Sequence, residues 1–164
     1  MNELQQKRPL NDKLQPIHIP WKFNKFNLGR EQGLKIIAHL NPARALGLEE
    51  GDVHVIRNAG GRASDALRSV IISQQLLGTR EIVIVHHTNC GMLTFTEDVI
   101  RDKIRTELHQ NADHIAFLPF GDLEQSVRDD IRILKDSPLV LDVPITGYVY
   151  EVETGKIVQI GENQ

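Results

Sequence analysis

An imidazole and a thiol stand three positions apart in VIVHHTNCGM, residues 84–93, where His87 and Cys90, the only cysteine of the chain, follow an apolar run. Imidazole nitrogen and thiolate sulfur are both good zinc donors, and two intervening residues let one tight turn present them to a single ion. Gly91, directly after the cysteine, suits a loop whose backbone must approach an ion closely. Two donors are only part of a set, because a catalytic zinc takes three protein ligands and keeps a fourth position for water. Read without a metal, Cys90 is a small buried hydrophobe and His87 a solvated loop histidine. A third reading makes Cys90 a thiolate nucleophile beside the imidazole.

Other candidate chemistry is sparse. His86 precedes His87 and must point the other way if both lie on a strand, so it reads as a packed or hydrogen-bonded residue. His18, His54, His109 and His114 share no metal spacing. NAGGRAS, residues 58–64, lacks both the Lys-Ser/Thr end of a phosphate-cradling loop and the G-x-G-x-x-G order of a dinucleotide fold. It reads as a backbone turn. Ser64 and Ser69 have no base at motif spacing, which argues against a serine hydrolase.

The elements that position His87 and Cys90 follow from periodicity. β-rich runs at LKIIA (34–38), VHVIR (53–57), EIVIVH (81–86) and HIAFLPF (114–120) alternate with helical ones, the pattern of a parallel sheet with crossover helices. SDALRSVIISQQLLG (64–78) predicts a helix with Ser64 as N-cap and Gly78 as C-cap. NPARALGL offers Asn41 as N-cap, Pro42 at the first helical position and Gly47 near the stop. TFTEDVIRDKIRTELHQ and DLEQSVRDDIRILKD supply two more amphipathic helices, the second with a charge mixture that reads as a solvated face with i,i+4 pairs. TGYVYEVETGKIVQIG predicts a terminal hairpin turning at Thr154–Gly155. The expected fold is α/β: a doubly wound, mainly parallel sheet of about four strands with flanking helices and a C-terminal hairpin. Residues 1–30, with three prolines between Pro9 and Pro20, read as an N-terminal arm, and 31–164 as one domain.

Composition excludes several classes. With 19 Lys and Arg against 22 Asp and Glu, a formal charge of -3, the chain has no basic surplus for nucleic acid. No apolar stretch reaches the roughly 20 residues that span a bilayer. One cysteine cannot form an internal disulfide, and MNELQQKRPLNDKLQ has no apolar signal core. A reducing, cytoplasmic setting is the expectation.

GLEEGDVHVIRNAGG, then DALRSVIISQQLLGTREIVIVHHTNCGMLTF, LPF and SPLVLDVPITGYVYEVETG, closely resemble the β-class carbonic anhydrases, in particular their short single-domain branch. The resemblance implies a zinc lyase that interconverts carbon dioxide and bicarbonate, assembled as a homodimer or larger oligomer. It implies that His87 and Cys90 are two of three zinc ligands and that Asn58, Ala59, Gly60 and Gly61 form the loop beside the active site. Zinc acts in such enzymes by lowering the pKa of bound water to about 7.

The resemblance breaks at one seam. The family's first zinc cysteine ends the first strand in a C-x-[DS]-x-R segment that also carries an Asp-Arg dyad. Here the chain reads GLKIIAHLNPARALGLEEGD, which resembles a deletion around Ala38–His39. His39 is the candidate substitute donor. Arg44 falls within the predicted helix and does not take the dyad role; Asp52 and Arg57 read as turn and ion-pair residues. The expectation is weak zinc binding and little hydration activity. The rival expectation is a non-catalytic subunit that pairs with an intact paralogue.

Overall fold

The computed structural model describes residues 34–38, 41 and 53–161 of the chain. The expected arm, the helix beginning near Asn41 and Pro42, and His39, Arg44 and Asp52 lie outside the described residues, apart from Asn41 itself, which is exposed and outside any helix or strand. The strands are β1 (Leu34–Ala38), β2 (Val53–Arg57), β3 (Glu81–His87), β4 (Ile145–Tyr150) and β5 (Ile157–Ile160). They form one sheet in the order β2-β1-β3-β4-β5. β1 runs parallel to β2 and β3, β3 parallel to β4, and β5 returns antiparallel to β4. The helices are α1 (Ala63–Leu76), α2 (Glu97–Leu108) and α3 (Leu123–Asp136). The α/β class is as expected.

β3 is the spine of the domain. Ile82, Val83, Ile84, Val85 and His86 are all fully buried, as the unbroken apolar run requires of a strand covered on both faces. Ile82 and Ile84 meet Ala63, Ala66 and Val70 of α1 and Val127, Ile131 and Leu134 of α3 in the core. The alternate residues Val83 and Val85 face the other side.

Each helix start has a local cause. Thr96 accepts a hydrogen bond from the Val99 amide, and Asp122 one from the Gln125 amide, so α2 and α3 begin on side-chain caps. Glu97 and Asp98 near the start of α2 and Arg105 near its end complement the helix dipole. α1 differs from expectation: Ser64 lies within the helix, and Arg62 at the cap position makes no side-chain cap bond. The Ala63 amide instead donates to Asp130 Oδ2 of α3 at 3.1 Å. A carboxylate from another helix therefore does the capping. At the other end, Gly78 follows the cap residue Leu77 with φ 71°, the left-handed geometry a glycine adopts without strain.

The expected strand at 114–120 is a correction. Residues 110–122 contain no helix or strand, and several of their backbone groups are bonded by side chains of α2. Glu97 Oε1 accepts from the amides of Phe117 and Leu118, both at 2.9 Å. Arg101 donates to the carbonyls of Ala112 and Ile115 and packs over the Phe117 ring. The strand after β3 is instead Ile145–Tyr150, which also supplies the first half of the terminal hairpin.

Candidate active site

β1 lies between β2 and β3, so the chain leaves β1 toward one side and returns on the other. The carboxyl end of β1 is thus the point where strand order reverses, the place where open α/β sheets form a ligand crevice. Ala38, the last residue of β1, stands opposite Arg57 and Val85. The loops leaving β2 and β3 flank that end.

His87 closes β3, and Cys90 follows after a two-residue turn in which Asn89 adopts φ 57°. Cys90 is 2% exposed and leads into the short 3-10 turn Gly91–Leu93. His87 Nδ1 lies 2.8 Å from the Thr88 carbonyl, an acceptor, so Nδ1 is the donor in this contact. A backbone carbonyl that accepts from one ring nitrogen is a usual support of a metal-binding histidine. The turn is tied to β4 and its hairpin: the Thr88 amide donates to the Tyr150 carbonyl, and the Val152 amide to Thr88 Oγ1.

Asn58 to Gly61 fold as a turn, as expected. The Asn58 amide donates to the Ala38 carbonyl and the Gly61 amide to the Asn58 carbonyl. Gly60 and Gly61 have φ 72° and 70°, and a Cβ on Gly60 would stand 2.9 Å from Met92 Cγ. One on Gly61 would stand 3.1 Å from His86 Cδ2. Side chains are excluded here both by backbone conformation and by space.

Behind the crevice lies a buried polar network. His86 is fully buried, with Nδ1 2.7 Å from Ser126 Oγ and Nε2 3.1 Å from Asp130 Oδ2 and 3.3 Å from the Gly61 carbonyl. Nε2 faces two acceptors and therefore donates. Asp130, also fully buried, pairs with Arg62 Nη2 at 3.2 Å. The residue types are those of a serine-hydrolase triad, yet Ser126 is 2% exposed and its hydroxyl lies 2.7 Å from the Leu123 carbonyl. No substrate reaches it. The network is a brace that joins α3, the start of α1 and β3.

Phe120 joins that brace to the Cys90 turn. Its ring stacks on His86 at 5.5 Å and 17°, and the Arg62 guanidinium sits 5.5 Å from its centre. Its amide donates to the Met92 carbonyl at 3.2 Å, while Leu93 donates back to the Cys90 carbonyl. The segment carrying Phe120 is strained: Leu118 has φ 59° directly before Pro119. A non-glycine residue in that region costs about 1–3 kcal/mol and persists only where its surroundings enforce it.

Glu97 holds the amide of that strained residue. Its carboxylate is held below the ordinary value of 4.5, first by the Leu118 amide, then by the Phe117 amide and Arg101. A depressed folded pKa means that this contribution is complete above the unfolded value and is lost as pH falls through the folded one. The Phe117 and Leu118 amide resonances should therefore shift together below pH 4.5, and in Glu97→Gln they should not titrate. Independent titration of the two amides would break the assignment.

The structure thus brings the His87–Cys90 turn and the Asn58–Gly61 loop to the carboxyl ends of the two strands that flank β1. Among the described residues no group of three or more His, Cys, Asp or Glu side chains could hold a metal ion. The donors His87 and Cys90 are of the right type for zinc but one short of the three a catalytic site needs, so the described residues do not complete a zinc centre. Glu97, Arg62, Phe120, Ser126 and Asp130 carry the support of the crevice and were not singled out by sequence motifs. The expected solvated face of α3 is present in the exposed Glu124, Arg132, Lys135 and Asp136, with i,i+4 pairing in Arg128–Glu124; the exception among its charged residues is the buried Asp130.

An H-x-x-C turn thus stands at the switch point of a mainly parallel α/β sheet. The carbonic anhydrase family model matches residues 39–157, and the chain belongs to the β-carbonic anhydrase family. Over 127 residues, covering 75% of this chain and 76% of the relative, it is 42% identical to Beta-carbonic anhydrase 1 of Mycobacterium tuberculosis. The crystal structure of carbonic anhydrase from Streptococcus mutans superposes with a TM-score of 0.75 at 43% identity, covering 82% of this chain and 86% of that one. A carbon disulfide hydrolase of an Acidianus strain is 38% identical over 139 residues, 70% of this chain and 68% of the relative. Zinc is the metal expected of the family.

Proposed function

We propose that this chain is a β-carbonic-anhydrase-type protein with an incomplete zinc centre, binding zinc weakly through His87 and Cys90 and hydrating carbon dioxide to bicarbonate far more slowly than relatives with a full ligand set. The observation that supports this reading is that two zinc-type donors, His87 and Cys90, follow β3 at the switch point of the sheet, and no described residue joins them as a third. His39, one residue past Ala38, is the candidate third donor. The chain's own residues supply the shape and polarity of the crevice: the Asn58–Gly61 backbone forms one wall, and Phe120 with Met92 supports the turn.

The test is zinc per chain in protein purified without added metal, for the wild type and for Cys90→Ser and His39→Ala. A substoichiometric content removed by Cys90→Ser, with a hydration rate well below that of a full-ligand relative, is the expected result. A hydration rate equal to that of such a relative would overturn it. If His39→Ala also removes the zinc, His39 is the third donor. Carbon disulfide should be assayed beside carbon dioxide, because relatives named for either substrate share this scaffold.

A second reading is favoured by α2. No residue of this 12-residue helix is buried, and Val99 and Leu108 are exposed at 58% and 64%. An isolated helix of that length is marginal in water, and an apolar partner surface would stabilise it. This supports an oligomer, either a homodimer or a pair with an intact paralogue in which this chain is the non-catalytic subunit. Purification as a monomer at micromolar concentration would count against both. No helix among the described residues is long and apolar enough to cross a membrane; a cytoplasmic setting is proposed on the composition alone.

A further inference from the structure

We infer that Glu97 is a positioning residue for the Cys90 turn, acting through the strained Leu118 and through Phe120. The inference rests on the reading of that turn as the site, but its test needs no metal.

The line of contact is continuous. Glu97 Oε1 holds the amides of Phe117 and Leu118. Leu118 at φ 59° redirects the chain so that Phe120, two residues on, stacks on His86 and under Arg62. From there the Phe120 amide donates to the Met92 carbonyl. Met92 in turn packs so closely on Gly60 that no Cβ fits between them, and Phe120 Cε1 would stand 3.1 Å from that same Cβ. Three segments of the crevice wall thus meet on one ring, and the ring's position depends on an unfavourable backbone conformation. Such a conformation relaxes when the group that enforces it is removed. Arg101 anchors the carboxylate at 2.7 Å, which keeps the clamp in one place on α2.

Glu97 does not touch the reacting position, so its effect must appear as loosening of the turn. Cys90 is the only cysteine and is 2% exposed, so its alkylation rate reports local opening. With a chelator present, Glu97→Ala is expected to raise the rate of iodoacetamide labelling by about tenfold, the lower part of the strain range converted to a rate. Glu107→Ala, which removes only the surface pair with Lys103 on the same helix, should leave the rate within about twofold.

The decisive arm is rescue. Glycine accepts φ near 59° without strain, so Leu118→Gly in the Glu97→Ala background should return labelling to about the rate of Leu118→Gly alone. A general weakening of α2 would not be repaired by a change at position 118. The inference is overturned if Glu97→Ala leaves labelling at the wild-type rate, if Glu107→Ala raises it equally, or if Leu118→Gly gives no rescue. Zinc analysis of the same proteins tests the proposed function separately, since labelling is done without metal.

Discussion

Asp130→Ala is expected to lower the unfolding free energy by about 3–5 kcal/mol, the usual consequence of breaking a buried pair by removing one partner. Arg62 and Asp130 side chains are 10% and 0% exposed, so water does not replace the lost carboxylate. The change also strips the Ala63 amide of its cap and His86 Nε2 of one acceptor. Against a typical total of about 5–15 kcal/mol, a loss of this size brings the domain near its limit. Urea unfolding followed by circular dichroism measures it. The same principle predicts a partial repair: Asp130→Ala combined with Arg62→Met removes both charges, and an apolar replacement of a buried pair is often neutral or better. A double variant no more stable than the single would show that the pair is not the source of the loss.

Gly147→Ala is the second large effect. A Cβ at this position on β4 would lie 2.3 Å from Val127 Cγ1 and 2.8 Å from Ile131 Cδ1, separations that van der Waals repulsion does not permit. α3 must move away from the sheet or its side chains must leave their rotamers. Overpacking of this kind costs about 1–3 kcal/mol and occasionally more; with two side chains displaced, the upper end is expected. Val127→Ala in the same chain opens space at the nearer contact. The double variant should therefore lose less than the sum of the two single changes, a non-additivity that denaturant titration of all three proteins would reveal.

Much of this architecture is legible in the sequence because its signals are local. IVIV in β3 and the spacing of the apolar residues in α1 and α3 define which faces are buried. The two glycines of the Asn58–Gly61 turn, and the H-x-x-C spacing, likewise need no tertiary context. The failures have a shared cause. Residues 114–120 look like a strand because they are apolar, but Glu97 and Arg101, far away in sequence, take their backbone groups. Ser64 looks like the cap of α1, but Asp130 supplies one from 67 residues away.

Asp130 itself left a trace that charge counting obscured. Leu123, Val127, Ile131 and Leu134 form the apolar stripe of α3, and positions 126 and 130 fall inside it. A serine and an aspartate there cannot be solvated. Their burial needs partners, and His86 and Arg62 are those partners. The adjacency of His86 and His87 carries the complementary message: alternation along β3 sends one histidine into the brace and leaves the other for the crevice.

That alternation has a consequence for how the strand finds its register. Ile82, Val83, Ile84 and Val85 are all buried, so the apolar pattern of β3 reads almost the same after a slip of one residue. A slip that puts Val85 in the place of His86 would send His86 to the other face of the sheet and set an aliphatic side chain against Asp130. Hydrophobic burial opposes that slip only weakly; the buried carboxylate of Asp130, which would lose its imidazole, opposes it strongly. In Asp130→Ala the sheet should therefore lose uniqueness as well as stability, visible as a second set of amide resonances along β3 and absent from an equally destabilised Leu134→Ala protein.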